Sequence, residues 1–440
     1  MNGSLSAGIG RENVVVTEAA TIRESATSKS SAHLTTASDY GYRELLSRYN
    51  LETCQAVASS RKFAISFIEN LSTKFPSDFQ YVSGYLYAEE EKDLKILEQE
   101  KKAADKAGLD VSSVQSLNLP FRVSGAIEFG HQAIFNPARY LYNLATFLDN
   151  LPNCSIYEQS RVLSREHNLV KTNQGTEKAN HIVYATQYPL FFNMHQTLAY
   201  PYRSYIVAAK VREDIGDDVY WDTFDPYFYT RTYRMDSKRW LVLGGADHKT
   251  GKTDHNAYEK LVSYLQLRYN VESVEFQWSN QYYEPADGLP YIGKSASGNE
   301  YIATGYSGDG LTNGTIAGYI ISQEIMGLKE KLWEGIFDTK RFNFLASAGK
   351  FMKENADVAV HFIKDRLNTE NREVIDHLQM GDGVVIDEDN EKIAVAIDEN
   401  GTLNSVKANC THLNCLVSWN GIEKLGIVHA MEAGLSPTVR

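Results

Sequence analysis

The sequence predicts a mixed α/β or α+β body followed by a small all-β domain. Strand-like and helical segments alternate through the body, and a glycine-rich turn at Gly308 joins a strand to a helix. The last part of the chain differs, because its short apolar runs are of strand type and Asn400-Gly401 is a hairpin turn signal. We therefore expect a body at residues 1–345, a linker at 346–372 and a small β domain at 373–440.

Composition places the chain among globular proteins. Its 440 residues suffice for two or three domains, and 43% hydrophobic with 11% aromatic residues argues against disorder. The net charge of −12 comes without a basic stripe, which disfavours nucleic acid and anionic membranes as partners. Four cysteines make no disulfide framework. Neither a membrane span nor a secretory signal is visible, so we expect a cytoplasmic protein.

The first elements follow from local patterns. Residues 13–19 are predicted as a short buried strand that ends at the acid Glu18, and a hydroxyl-rich loop follows at 24–36. Helical periodicity runs from 42 to 71 and again from 89 to 107. The second of these segments is highly charged, so it is predicted as a solvated helix.

Strands dominate the middle of the chain and one helix closes the body. Strands are predicted within 156–211 and at 240–245, and another at 300–304 leads into the glycine-rich turn. A helix at 311–326 then ends at Gly327. Residues 346–367 are predicted as one linker helix, followed by strands at 384–386 and 393–397.

Glu18, Gly308 and Gly310 are the first candidate binding residues. An acid at a strand end of a dinucleotide fold binds ribose hydroxyls, which suits Glu18. Backbone N–H groups at a helix N-terminus stabilise an anion or a polarised carbonyl, and Gly308 and Gly310 would allow close approach. Taken singly, a solvated acid and an ordinary strand–helix turn are the commoner explanations.

Taken together, these and further motifs resemble the D-amino-acid-oxidase-like family of FAD-dependent oxidoreductases, in the subgroup with a C-terminal Rieske [2Fe–2S] domain. The resemblance implies an α/β + α+β flavoprotein. It would have an FAD-binding Rossmann-like domain, an antiparallel-sheet substrate domain within about 65–290 and a small all-β Rieske-like C-terminal domain. The motifs that carry it are residues 30–36, 132–137, 185–189, 244–251, 287–293, 304–314 and 353–359.

The resemblance also implies FAD as cofactor, a small amine or amino-acid substrate, hydride transfer to the flavin and an unidentified electron acceptor. Such chemistry relies on positioning, so it requires no conspicuous acid/base pair. His248, Lys249 and Tyr283 are candidate catalytic residues on the substrate side, although a surface polar cluster or a core tyrosine explains them equally well. The implied cofactor-binding residues are Glu18, Ser30, Ser31, His33, Leu34, Thr35, Ala185, Thr186, Asp287, Gly288, Gly308, Gly310, Thr312 and Asn313.

Residues 410–415 have the Cys-x-His-x-x-Cys form of the first Rieske ligand box. A Rieske [2Fe–2S] cluster needs two cysteines and two histidines, and Cys410 and His412 supply half of that set. No cysteine follows Cys415. The alternatives are a zinc site that adds Cys415 and His429, in a zinc-stabilised interaction domain, or a non-catalytic remnant without cofactors.

Both ends of the chain depart from the family pattern. The Gly-x-Gly-x-x-Gly motif that normally lies about twenty residues before the acid is missing before Glu18, so we expect an N-terminally truncated dinucleotide fold. Codons permitted for residues 426–434 can be read in a shifted frame as Asp-Cys-Pro-Cys-His-Gly-Ser-Arg, the second ligand box of the family. We therefore hypothesise a frameshift, which resequencing of codons 420–440 would test.

Overall fold

The computed structural model describes most of the predicted body and parts of the C-terminal segment. The described residues are 13–188, 198–235, 238–250, 256–295, 298–328, 333, 335–341, 372–388, 391–398, 400–408, 417–420, 425–428 and 431–435. The predicted linker helix at 346–367 and the candidate metal ligands Cys410, His412, Cys415 and His429 lie outside them.

Among the described residues, the α-helices lie before residue 326 and the strands extend to residue 435. The helices are α1 (Tyr42–Arg48), α2 (Leu51–Lys74), α3 (Leu94–Lys106), α4 (Pro137–Asp149), α5 (Ala257–Arg268) and α6 (Gly310–Ile325). The strands are β1 (Val14–Thr17), β2 (His33–Leu34), β3 (Gln80–Ala88), β4 (Val111–Val114), β5 (Gly125–Ile134), β6 (Cys154–Tyr157), β7 (Val162–Glu166), β8 (Leu169–Thr172), β9 (Thr176–Lys178), β10 (Ile182–Tyr184), β11 (Ala199–Val211), β12 (Val219–Asp222), β13 (Tyr229–Met235), β14 (Lys238–Lys249), β15 (Val271–Pro285), β16 (Tyr291–Lys294), β17 (Glu300–Thr304), β18 (Gly383–Glu388), β19 (Glu391–Ile397), β20 (Leu403–Lys407), β21 (Val417–Asn420), β22 (Leu425–Val428) and β23 (Met431–Leu435). None of the helices in these ranges has the length and apolar character needed to cross a bilayer.

A large, mainly antiparallel sheet forms one layer of the body. Its strand order is β15-β11-β14-β13-β12-β3-β5-β2, with β4 beside β5, and only the β12–β3 pair on this path is parallel. Alternate residues of β11 and β14, such as Tyr205, Val207 and Leu243, pack against Leu261 and Leu265 of α5. Since side chains of a strand alternate between faces, the residues between them point to the opposite side, where the cavity described below lies.

A second layer carries the helix that begins at the glycine-rich turn. Strand β10 pairs in parallel with β17, and β16 pairs antiparallel on the other side of β17. Helix α6 follows β17 directly and packs against α2. It ends, as predicted, at Gly327, whose φ of +69° is the left-handed conformation typical of a helix C-terminus.

The first strand lies where it was predicted, but its burial was predicted wrongly. Val14, Val15 and Val16 are 40%, 44% and 39% exposed. Strand β1 pairs in parallel with β6 in a two-stranded sheet, so its side chains line the cavity instead of a packed core. An apolar run therefore did not indicate burial here.

Helix α3 is likewise less solvated than its charge pattern predicted. Glu100 is buried, and its carboxylate accepts hydrogen bonds from the backbone N–H groups of Tyr42 (2.7 Å) and Arg43 (2.9 Å). These groups begin α1, whose N-cap is Gly41 and therefore offers no side-chain acceptor. Glu100 thus caps a neighbouring helix, and burial raises the pKa of its carboxyl.

The described C-terminal residues form short antiparallel strands, as predicted. Strands β18, β19 and β20 form one three-stranded sheet, and β21, β22 and β23 form another. Gly401, with a φ of +77°, lies in the predicted turn between β19 and β20. The indole N–H of Trp419 on β21 donates to the carbonyl of Gly381, two residues before β18, at 3.2 Å.

Candidate functional site

A cavity of about 3300 Å³ lies between the large sheet and the layer that carries α6. Ligand sites in proteins commonly measure ~300–1,000 Å³, so this space can hold a dinucleotide together with a small substrate. Its wall combines the end of β1, the 25–41 loop, the end of β10, the start of α6 and one face of the sheet.

Many of the predicted cofactor-binding residues meet at this cavity, although they come from distant parts of the sequence. The structure shows where these residues lie, and their individual roles in cofactor binding stay predictions. The predicted residues on the cavity wall are Glu18, Ser30, Ser31, His33, Thr35, Ala185, Thr186, Gly308 and Gly310.

Asp287 and Gly288, which are predicted to close over the cofactor, are not among the residues that line the cavity. Asp287 is fully buried, and Nε and Nη2 of Arg341 each lie 3.0 Å from one of its carboxylate oxygens. This ion pair holds the side chain away from the cavity. Gly288 has a φ of +88° and lies against the ring of Tyr40, so it serves a tight turn.

Three further predicted cofactor residues also lie off the cavity wall. Leu34 is fully buried and packs with Ile65 and Phe135 in a small apolar cluster. Asn313 turns inward from α6, and its amide donates to the Tyr306 carbonyl at 3.0 Å. Thr312 is buried beside it, and its hydroxyl has no hydrogen-bond partner among the residues described.

The candidate catalytic residues separate in the structure. His248 and Lys249 end β14, where the imidazole stacks on Tyr205 with its Nε2 at 3.0 Å from the Tyr205 hydroxyl. They are therefore part of a strand and not of a surface loop, and they lie off the cavity wall. Tyr283 does line the cavity, and its buried hydroxyl accepts a 2.7 Å hydrogen bond from Gln281.

A network at the start of α6 was missed from the sequence. Asp39 accepts hydrogen bonds from the Gly308 N–H (2.9 Å) and from the Tyr227 hydroxyl, and its own N–H donates to Asp309 (2.9 Å). Arg61 is buried and pairs with Asp309 at 2.7 Å. These contacts fix the glycine-rich turn, and no local sequence signal indicates Asp39, because its partners lie about 190 to 270 residues away.

The environment of this network raises the pKa of Asp39. Burial raises the pKa of Asp39 to about 6, and the neighbouring Asp309 charge adds to the effect. The hydrogen bonds from Tyr227 and Gly308 oppose it, since they stabilise the ionised carboxylate.

Two further features of the cavity wall offer room and unused hydrogen-bonding capacity. A Cβ placed on Gly310 would meet nothing within 4 Å, and the first N–H groups of a helix have no partner inside the helix. His33 Nε2 is buried and has no hydrogen-bond partner within the described ranges. Burial and the Arg231 charge lower the pKa of His33 to about 3, so the imidazole is neutral.

The sheet face opposite α6 presents tyrosines and a carboxylate. Tyr229 lies directly over Gly244, because the two residues are cross-strand neighbours and a Cβ on Gly244 would be 2.1 Å from its ring. Asp247, also on β14, accepts a hydrogen bond from the Tyr282 hydroxyl at 2.9 Å. Burial raises the pKa of Asp247 to about 7.

Comparison with known proteins identifies the lineage. The sequence matches the family described as FAD dependent oxidoreductase (DAO) over residues 4–324. One relative is the Bacillus subtilis (strain 168) protein YhfW, named as a candidate Rieske 2Fe-2S iron-sulfur protein, with 26% identity over 93% of this chain and 82% of the relative. Another is gamma-glutamylputrescine oxidoreductase of Escherichia coli (strain K12), with 22% identity over 72% and 79% of the two chains.

Solved structures with the same fold include glycine oxidase from Geobacillus kaustophilus and L-proline dehydrogenase from P. horikoshii. The former has a TM-score of 0.63 at 15% identity and covers 76% of this chain and 94% of its own. The latter has a TM-score of 0.60 at 16% identity and covers 75% and 97%. Because the family match spans well over half of the sequence, the chain belongs to the FAD-dependent oxidoreductases of the DAO family.

Proposed function

We propose that this chain binds FAD in the cavity and oxidises a small amine or amino acid by hydride transfer. The observation that supports this most directly is the arrangement at the start of α6. A helix N-terminus with open space beside Gly310 shares one cavity with the acid Glu18 and the unpaired, neutral His33. Space, hydrogen-bond donors and a ribose-binding acid are what a flavin dinucleotide requires.

In this proposal each segment of the cavity wall contacts a different part of FAD. Glu18 would bind the ribose hydroxyls, while Ser30, Ser31 and Thr35 would contact the flavin and its phosphates. The N-terminus of α6, with Gly308 and Gly310, would stabilise negative charge that develops on the reduced ring. When bound, FAD supplies the two-electron acceptor of the reaction.

The protein itself would hold the reacting groups in position and exclude water from the substrate. The contacts of Asp39 and Arg61 hold the glycine-rich turn in one conformation, so the helix N-terminus would need no rearrangement during the reaction. The tyrosine-covered sheet face, including Tyr283, would enclose the substrate.

A glycine substitution tests the cofactor site. Gly310→Val places a branched side chain in space that is open in the structure, so the fold should persist while FAD binding is lost. The matched control is Gly175→Val, since a Cβ on Gly175 also meets nothing within 4 Å and this residue lies off the cavity wall.

Titration of the purified chain with FAD, followed by its visible spectrum, measures the outcome. We expect about one bound flavin per chain for the parent and the control, and at least a ~100-fold weaker affinity for Gly310→Val. Equal affinity of all three chains would contradict this placement of the flavin. No flavin uptake by the parent chain would instead favour the non-catalytic alternative.

We further propose that electrons leave through a Rieske-type C-terminal region. The Cys-x-His-x-x-Cys pattern and the name of the Bacillus subtilis relative support this route. Cys410 and His412 would be ligands, and a stable cluster requires two more. Iron and acid-labile sulfide analysis of the purified chain tests the idea, because zinc without iron would favour the zinc-site alternative and absence of both metals would contradict the relay.

A further inference from the structure

We infer that the sheet side of the cavity holds a cation subsite, centred on Asp247, that binds the ammonium group of an alkylamine substrate. The inference rests on the proposed function and narrows it, since it selects amines without a carboxylate over amino acids.

Among the described residues, the carboxylate on the cavity wall with an unpartnered oxygen is Asp247. Its Oδ2 accepts from Tyr282 at 2.9 Å, whereas its Oδ1 is buried and has no hydrogen-bond partner of good geometry in the described part of the chain. Asp39 differs, because the Gly308 N–H and the Tyr227 hydroxyl occupy its two oxygens. Asp39 therefore contributes negative charge, and Asp247 contributes an acceptor that a ligand can use.

The charge around Asp247 favours a cation. Burial is the main cause that raises the pKa of Asp247, and the nearby negative charges of Asp39 and Glu284 raise it further. The Tyr282 and Ser204 hydroxyls act in the opposite direction, but burial prevails. An ammonium group has three hydrogen-bond donors and a positive charge. It would offset the repulsion among the carboxylates and donate a hydrogen bond to the unpaired Oδ1 of Asp247.

Aromatic rings complete the subsite. Tyr227 and Tyr229 line the cavity beside Asp247, with ring centroids 5.9 Å apart, and the Tyr229 hydroxyl lies 3.2 Å from that of Ser204. Tyrosine faces attract cations and also cover an alkyl chain. A carboxylate next to the reacting amine would instead meet like charge from Asp39 and Asp247, and would bind weakly.

Calorimetric titration with butylamine and with norvaline, the same skeleton bearing an α-carboxylate, tests this selectivity. Both ligands are added to the chain with and without saturating FAD. We expect butylamine to bind at least ~10-fold more tightly than norvaline. Asp247→Asn should weaken butylamine binding at least ~10-fold and leave the FAD affinity unchanged, while the exposed control Asp78→Asn should change neither.

Tyr282→Phe provides a second variant that keeps the ring and removes one donor to Asp247, and it should weaken butylamine binding about threefold. Norvaline binding as tightly as butylamine, or butylamine binding unaffected by both Asp247→Asn and Tyr282→Phe, would overturn the inference even if FAD binds normally. Failure of FAD binding with intact, Asp247-dependent amine binding would refute the proposed function and leave the cation subsite standing.

Discussion

At the scale of single residues, breaking the ion pair of Asp287 and Arg341 should be strongly destabilising. Asp287 has no exposed surface, and both of its oxygens are bound by the guanidinium, which also donates to the Pro290 carbonyl at 2.6 Å. Asp287→Asn would leave a buried guanidinium without its counter-charge. We expect a loss of roughly 3 kcal/mol or more in the free energy of unfolding, measured by urea denaturation.

The pair of Arg139 and Asp78 is the matched control for this prediction. Here too one guanidinium contacts both carboxylate oxygens, with Arg139 Nη1 at 2.7 and 2.9 Å from them, but the side chains are 48% and 52% exposed. Asp78→Asn should therefore cost less than about 1 kcal/mol. Equal losses for the two substitutions would show that burial does not determine the strength of the Asp287 pair.

The ion pair of Asp287 and Arg341 also shows which residue contacts cannot be predicted from the sequence. The position of Glu18 at a strand end and the hydroxyls of Ser30 and Ser31 were predictable, because each depends on neighbouring residues. The partner of Asp287 lies 54 residues later, so no local pattern indicates that this acid turns away from the cavity. The sequence motif therefore predicted a cofactor role for Asp287 but gave no sign of its buried ion pair with Arg341.

At the scale of elements, Gly244 determines how β13 sits against β14. Its missing side chain makes room for the ring of Tyr229, and a Cβ would lie 2.1 Å from that ring. Gly244→Ala should displace Tyr229 and reduce the free energy of unfolding by about 2 kcal/mol. Gly175→Ala, in open space, should have little effect.

A double-mutant cycle checks the cause of that loss. If the clash with Tyr229 is responsible, Gly244→Ala should cost less in a Tyr229→Ala background, with a coupling of about 1 kcal/mol or more. Additive losses would mean that the glycine serves the backbone of β14 instead.

Sequence periodicity predicted the bounds of these helices and strands better than the burial of their residues. The strand that ends at Thr304 and the helix that closes at Gly327 are found within a residue or two of their predicted bounds, because turn chemistry and apolar spacing act locally. The exposure of Val15 and the burial of Glu100 were not predictable, since both depend on which distant element covers them.

At the scale of the whole molecule, three carboxyls on the cavity wall link stability to pH. Burial is the main cause that raises the pKa of Asp39 and Asp222 to about 6 and that of Asp247 to about 7. In the unfolded chain the side chain of an aspartic acid has a pKa of about 3.9. Between about pH 4 and 7 the folded chain therefore retains protons that the unfolded chain has released, and these three groups lower stability as pH rises.

Asp247→Asn isolates one of these contributions, because asparagine has nearly the same shape and does not ionise. At pH 4 the parent and the variant should have similar unfolding free energies, since Asp247 is then protonated when folded. By pH 8 the ionised Asp247 destabilises the parent, so the variant should become the more stable by roughly 2–4 kcal/mol. Urea denaturation of both chains from pH 4 to 8 measures this difference in unfolding free energy. The contributions of the many other titrating groups are the same in the parent and the variant, so they cancel in the difference. A constant difference would mean that Asp247 titrates at the same pH in the folded and unfolded chain, and that burial in the cavity wall does not raise its pKa.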